Sequence, residues 1–315
     1  VNAEAEAQGE QSGCFLPNVV LGTRGSELAL AQTRAVADAL REKFRVQVQI
    51  EIIRTSGDEG RVVIDQRAGR KGLFTAELER ALVQQRIDIA VHSGKDLPSQ
   101  LQDGTRVAAT LLRGPVEDLL ITKVPSQIEL LPPNARIATG SVRRQRQLRW
   151  TRPDIRQIDL RGNVPTRLRK FAASDWDAII LARAGLKRLG FSFPEFALGD
   201  EKFFADILPP EKFIPAGGQG VIAIQTRADD ATIAGMISMI DDYQTHLCFR
   251  TEREFLRLLQ GDCNTPIGAL ALAANGEIEL RAQIFADAIE PKLASARGSL
   301  PEEVAVEAFS KINGS

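Results

Sequence analysis

"VVLGTRGSELALAQ", residues 19–32, joins a short apolar run to a turn, Gly22-Thr23-Arg24-Gly25-Ser26, and then to an alanine- and leucine-rich segment that continues to Phe44. Val19–Leu21 predicts a strand and Glu27–Phe44 a helix, with Ser26 placed to cap the first helical N–H groups. The arrangement returns in "RIATGSVRRQRQLRW", residues 136–150, as strand Arg136–Ala138, turn Thr139-Gly140-Ser141 and a helix through Trp150. A strand feeding a helix through a tight turn opens an α/β sheet, so its recurrence predicts two α/β domains.

The segments between these units agree with that reading. Val46, Val48, Ile50 and Ile52 alternate with polar residues, the period of a half-buried strand. Thr75–Gln85 predicts a helix, and Ile87–Val91, Ile158–Leu160 and Ala178–Leu181 predict strands. Strand alternating with helix implies a mostly parallel sheet, with ligands at the carboxyl ends of the strands. "FIPAGGQG", residues 213–220, is punctuated like a hinge, and the strand Val221–Ile224 after it returns the chain to the first domain. Beyond Thr245 the layout changes to a long amphipathic helix, a "GDCNTP" loop, two alternating strands joined at Asn275-Gly276, and a helix after Pro301. The expected division is a tail at 1–17, domain 1 over 18–114 and 221–238, domain 2 over 115–220, and a small α+β domain 3 over 239–315.

Bulk properties exclude several classes. No stretch of the 315 residues approaches the roughly 20 apolar positions of a membrane span, and the first seventeen residues have neither the basic start nor the apolar run of a secretory signal. Cys14, Cys248 and Cys263 form no CxxC pair, which fits a reducing compartment and a cytoplasmic protein. Two histidines with no cysteine cluster make a transition-metal site an unsuitable reading. A net charge of −1 argues against a general polyanion binder, yet ten arginines and one lysine stand between Arg136 and Lys170 against only Asp154 and Asp159.

Two places carry chemistry. "AVHSGKDLPSQ", residues 90–100, sets His92, Ser93, Lys95 and Asp96 at a predicted strand end. Arg143 and Arg144 open the second helix, where cations oppose the macrodipole and call for an anion to offset them. Arg161-Gly162-Asn163 and Arg167 extend the cationic wall, and guanidinium groups around one cleft suit a ligand with several carboxylates. Asp96 is then the one acid placed to meet a developing cation on that ligand. Other readings stay open on residues alone: a solvated basic face, an ordinary Lys95–Asp96 surface pair, a buried hydrophobic role for Cys263. A single-strand nucleic-acid binder is weakened by Trp150 being the only aromatic among the arginines.

Together these motifs resemble the porphobilinogen deaminase family. The matching stretches are "LGTRGSELALAQ" (21–32), "GRKGLFTAELERAL" (69–82), "DIAVHSGKDLP" (88–98), "TGSVRRQRQL" (139–148), "LRGNVPTRLRK" (160–170), "LARAGLKRLG" (181–190), "IPAGGQG" (214–220) and "GDCNTPIGALA" (261–271). The resemblance implies two α/β domains like those of periplasmic binding proteins around a cleft, with a third domain carrying the cofactor. It implies a dipyrromethane held by a thioether to Cys263, onto which four porphobilinogen units are condensed before the four-pyrrole product is released by hydrolysis. Asp96 matches the catalytic aspartate, suited to stabilising an azafulvene-type cation as ammonia leaves. Arg24, Arg143, Arg144, Arg161 and Arg167 match the carboxylate-binding arginines. Ser26, Ser93, Thr139, Ser141, Gly162 and Asn163 match neighbouring donors and turns, and Lys71 and Lys95 match the family's lysines. Arg67 stands where some members have lysine, and Asp58 corresponds to a "GD" pair that contacts the cofactor. The chain departs from common forms at Gly94, Pro165, Asp262 and Asn264. The implied partner is porphobilinogen, with no nucleic acid and no membrane, and the implied state is a monomer. The rival reading is a non-catalytic two-domain protein that captures a polycarboxylate.

Overall fold

The computed structural model describes residues 18–54, 75–260, 265–286 and 288–314. The expectations for residues 1–17, Asp58, Arg67, Lys71 and Cys263 lie outside these.

β1 (Asn18–Thr23) buries Val19 and Leu21, and Ser26 caps α1 (Glu27–Lys43) by accepting from the Ala29 N–H at 3.2 Å. A Cβ on Gly22 would lie 2.3 Å from Ile87 Cδ1, so glycine is what lets this strand close against its neighbours. β2 (Gln47–Ile52), α2 (Ala76–Val83), β3 (Ile89–Ser93) and β4 (Thr105–Thr110) follow. The chain then builds β5 (Asp118–Thr122), β6 (Arg136–Ala138), α3 (Val142–Thr151), β7 (Arg156–Ile158), α4 (Val164–Ala172), β8 (Ala178–Ala182) and α5 (Arg183–Arg188). A hairpin of β9 (Glu195–Leu198) and β10 (Glu201–Leu208) completes that unit, and β11 (Ile222–Arg227) and α6 (Ala231–Ser238) return to the first.

The first sheet has the order β2-β1-β3-β11-β4 and the second β7-β6-β8-β5-β10-β9. Placed side by side, β6, β7 and β8 take the positions of β1, β2 and β3, and β5 takes that of β11. The three founding strands of each sheet run parallel, as expected; β11 and β5 run antiparallel to β3 and β8. This difference from a mostly parallel sheet has a simple cause. Ile222, the start of β11, pairs with Ser93 at the end of β3, and Asp118, the start of β5, pairs with Ala182 at the end of β8. Each crossover enters its new sheet at the carboxyl ends of the parallel strands, so it must run away from them.

The two crossovers touch. Gly114 N–H donates to Gly220 O at 3.0 Å, and a Cβ on Gly220, whose φ is +84°, would stand 2.5 Å from Gly114 O. Their contact forms a paired hinge beside the carboxyl ends of both sheets.

The last unit packs α7 (Tyr243–Leu258) and α8 (Pro301–Asn313) on a sheet of β12 (Ile267–Ala274), β13 (Glu277–Ile284) and β14 (Lys292–Gly298). Phe255, Leu280, Val304 and Ala308 lie in its core. The β12–β13 turn has positive φ at Asn275 (53°) and Gly276 (81°), as the Asn-Gly pair predicts. β14 escapes a periodicity reading because only Ala296 of its seven residues is buried. Glu252 of α7, fully buried, accepts from both Nη atoms of Arg113 and from the N–H groups of Gly218 and Ala271. One carboxylate therefore ties this unit to both crossovers. Among the described residues no helix is long and apolar enough to cross a membrane.

Candidate active site

β3 extends two residues further than its apolar run, so His92 and Ser93 lie within the strand and Gly94–Asp96 form a single 3-10 turn after it. Ser93 faces α1, where its hydroxyl donates to Gln32 Oε1 at 3.0 Å. His92 points to the other side and is buried. Burial pulls its imidazole down to about 4; the nearby Gln225 amide acts in the opposite direction, and Arg253 and Arg24 add to the lowering. His92 is therefore a neutral packing residue, and its Nε2 forms no well-shaped hydrogen bond among the described residues.

Gly94 has a steric reason. A Cβ there would lie 2.9 Å from both Phe249 Cε2 and Val221 Cβ and 3.0 Å from Gly218 O, because the turn is pressed against the hinge and α7. The turn presents Lys95 and Asp96, both half-buried, toward the second unit. Burial lowers the Lys95 ammonium to about 8; Asp96 and Asp118 raise it, and Arg144 and Arg167 lower it. Residues from both sheets thus act on one another here.

On the facing side, Arg143 and Arg144 are not a solvated face: each is only 4% exposed. Their anion is Asp118, the first residue of β5. Arg143 Nη2 reaches Asp118 Oδ2 at 2.8 Å, and Arg144 reaches both oxygens, at 3.1 and 2.7 Å. Gln219 of the hinge donates to the same carboxylate at 2.9 Å. Burial would push the Asp118 carboxyl up, but the two guanidinium charges and their hydrogen bonds hold it well below the usual carboxylate range. Arg143 also donates to Ile214 O and Arg144 to Ile180 O. The offsetting anion expected at this helix start is thus supplied, for one of the two charges, by the chain itself. Thr139 Oγ1 accepts from the Ser141 N–H at 3.3 Å, which fixes the turn before α3.

Gly162 adopts φ +119°, Asn163 caps α4 by accepting from Thr166 N–H at 2.9 Å, and Pro165 fits the first turn of that helix. Arg167 Nε donates to Gly162 O at 2.7 Å, and burial, then Arg144, lowers its guanidinium to about 10 against the pull of Asp96 and Asp159. Arg161 is different: its side chain is 60% exposed and paired with Asp159 at 2.8 Å. Arg24 follows β1, half-buried, with Ser26 committed to its capping role.

Two cations were not picked out by sequence reasoning. Arg188, at the end of α5, donates to Gly220 O at 2.5 Å, and burial lowers it to about 10. It has no carboxylate at ion-pair distance among the described residues. In sequence it looks like an ordinary basic helix end. The other is Arg253 of α7, also lowered to about 10 by burial, with Glu79 pulling the other way.

One cavity is lined by residues of all three units. Gly94, Lys95 and Ser99 line it from the first unit, Ser141 and Arg143 from the second, Arg253 and Thr265 from the third. Thr265 stands two residues after Cys263 in the chain. The arrangement can hold an anion between cations of both sheets, and Asp96, next to the lining residue Lys95 in the chain, acts on Lys95 and Arg167.

The family described as "Porphobilinogen deaminase, dipyromethane cofactor binding domain" matches residues 19–235, and "Porphobilinogen deaminase, C-terminal domain" matches residues 246–307. A protein of Syntrophomonas wolfei named porphobilinogen deaminase is 42% identical over 268 residues, covering 85% of each chain. One of Roseiflexus sp. with the same name is 42% identical over 272 residues, covering 85% of this chain and 86% of its own. One of Nitrobacter winogradskyi is 43% identical over 270 residues, covering 84% and 82%.

Proposed function

The chain belongs to the porphobilinogen deaminase family, and on that premise we propose that Asp96 is its catalytic carboxylate and Cys263 the residue that holds its cofactor. It is a transferase with hydroxymethylbilane synthase activity: four porphobilinogen molecules are condensed head to tail on a covalently bound dipyrromethane, ammonia is released, and hydroxymethylbilane leaves by hydrolysis. The observation that carries the site assignment is the cleft itself, where Thr265, two residues beyond Cys263, shares one cavity with Lys95, Ser141 and Arg143.

The residues suit such a group. Porphobilinogen carries two carboxylates per ring, and the desolvated cations Arg167, Arg188 and Lys95 are the kind of group a polycarboxylate stabilises. When bound, the dipyrromethane supplies the pyrrole carbon to which new rings are joined. Arg24, Arg161, Arg167 and Arg188 bind ring carboxylates, with Ser26, Ser93, Thr139 and Ser141 as polar neighbours. Arg143 and Arg144 contribute the positive charge that Asp118 leaves over. Gly162 and Asn163 set the α4 turn from which Arg167 projects. Asp58, Arg67 and Lys71 are assigned to cofactor and substrate contacts by motif. An Asp96 oxygen accepts a hydrogen bond from pyrrole N–H, stabilises the positive charge that develops as ammonia departs, and takes up the proton lost from the attacked carbon. We further propose domain limits of 18–114 with 221–238, 115–220 and 239–315, and a protein that works as a monomer in the cytoplasm without nucleic acid or membrane.

Intact-mass measurement tests this. The isolated protein is expected to carry a covalent dipyrrole, and Cys263→Ser none; an unmodified wild-type chain would favour the polycarboxylate-capturing rival. A second expectation concerns pH. Lys95 is a cation below about 8 and neutral above it, so the KM for porphobilinogen is expected to rise severalfold between about pH 7 and 9. Lys95→Arg should flatten that rise, and a KM as steep in the variant as in wild type would assign the titration to another group.

A further inference from the structure

Gln147 completes the buried arginine pair of α3. It follows Arg143 by one helical turn, is fully buried, and its Oε1 accepts from Arg143 Nη1 at 2.8 Å. Its surroundings fix which way the amide points. A guanidinium offers only donors, so Arg143 takes the amide oxygen, and Nε2 donates to Ile214 O at 2.8 Å and to Gln283 Oε1 of β13 at 2.7 Å. Arg143 is thereby gripped from two sides, by the Asp118 carboxylate and by a neutral amide.

That the second grip is neutral decides the charge of the wall. Asp118 sets one negative charge against two guanidinium groups, which leaves one positive charge where Arg143 lines the cavity. Arg143 Nε, itself buried, has no hydrogen-bond partner among the described residues. A carboxylate at position 147 would hold Arg143 more strongly but would cancel the remaining charge. We propose that Gln147 is a positioning residue for substrate binding, which orients Arg143 while leaving the arginine pair its surplus charge for the ring carboxylates. The inference rests on the reading that those carboxylates occupy this cleft.

Gln147→Glu tests it in the cofactor-loaded protein, because the shape of the side chain is kept and the Gln283 amide can turn its NH2 toward the new carboxylate. KM for porphobilinogen should rise by about tenfold and depend less steeply on salt, since one positive charge fewer attracts the ligand, and kcat should change much less than KM. The share of isolated chains that carry the dipyrrole mass should fall. Gln147→Met, neutral and similar in size, should keep KM within about threefold of wild type with its salt dependence intact. Combining Gln147→Glu with Asp118→Asn restores the charge count and should bring KM back toward the wild-type value, a comparison that also serves if the single variant folds poorly. An unchanged KM in Gln147→Glu, an equal rise in Gln147→Met, or a KM in the double variant still about tenfold above wild type would each overturn the proposal. The dipyrrole mass of the wild-type chain tests the assigned reaction without these variants, so the two readings fail separately.

Discussion

Asp96→Asn is expected to lower kcat by about 100- to 1,000-fold while the protein stays folded and keeps its covalent cofactor. The size follows from what the substitution removes. The amide occupies the same space at the end of the 3-10 turn, so the backbone bond from Gly94 N–H to Val221 O and the packing of that turn on Phe249 persist. What is lost is a negative charge amid Lys95, Arg167 and Arg144. Asp118 is committed to Arg143 and Arg144, so on the proposed assignment Asp96 is the carboxylate that meets the positive charge developing on the ring as ammonia leaves, and the variant would expose that charge to repulsion from the cationic walls. KM should change little, since the ring carboxylates still meet their guanidinium groups. Single-turnover measurement with porphobilinogen separates the steps; near-normal turnover in Asp96→Asn would remove this residue from the chemistry.

Asp118→Asn should cost about 3–5 kcal/mol of folding stability, the range for breaking a buried ion pair by removing one partner. The side chain is fully buried, and its loss leaves Arg143 and Arg144 next to each other with no counter-charge. The sign with pH is fixed by the depressed carboxyl: the contribution is present above the unfolded pKa of an aspartate and fades as pH falls below it. Adding Arg143→Met to Asp118→Asn should recover part of the loss, because one buried charge fewer then needs an anion. Urea denaturation near neutral pH reads the effect, and an unchanged midpoint would show that solvent already screens the trio.

The same aspartate marks where a linear reading stops. Strand-turn-helix units, the Ser26 cap and the Asn275-Gly276 turn are local, set by residues a few positions apart, and all are visible in the chain. Asp118 is not: it opens an apolar strand and meets its arginines 25 and 26 positions later. Arg143 and Arg144 could be recognised as cations in want of an anion, but their burial and the identity of that anion depend on sheet order. Glu252 is hidden for the same reason, since its four donors come from three distant segments. Arg188 lacks any local signal, and only its burial against Gly220 separates it from solvated helix-end cations. The antiparallel entry of β5 and β11 likewise depends on where a crossover arrives rather than on composition.

The Glu252 clamp has a mechanical corollary. Since it grips the paired strands at Arg113 and Gly218, the third unit rides on the pivot itself rather than on either jaw. α7 and β12 sit at this hub, so a swing of the jaws would carry both walls past a unit that stays with the pivot. On the proposal that this unit carries the growing chain, elongation would gain room by rotation about a single axle, without the carrier having to travel.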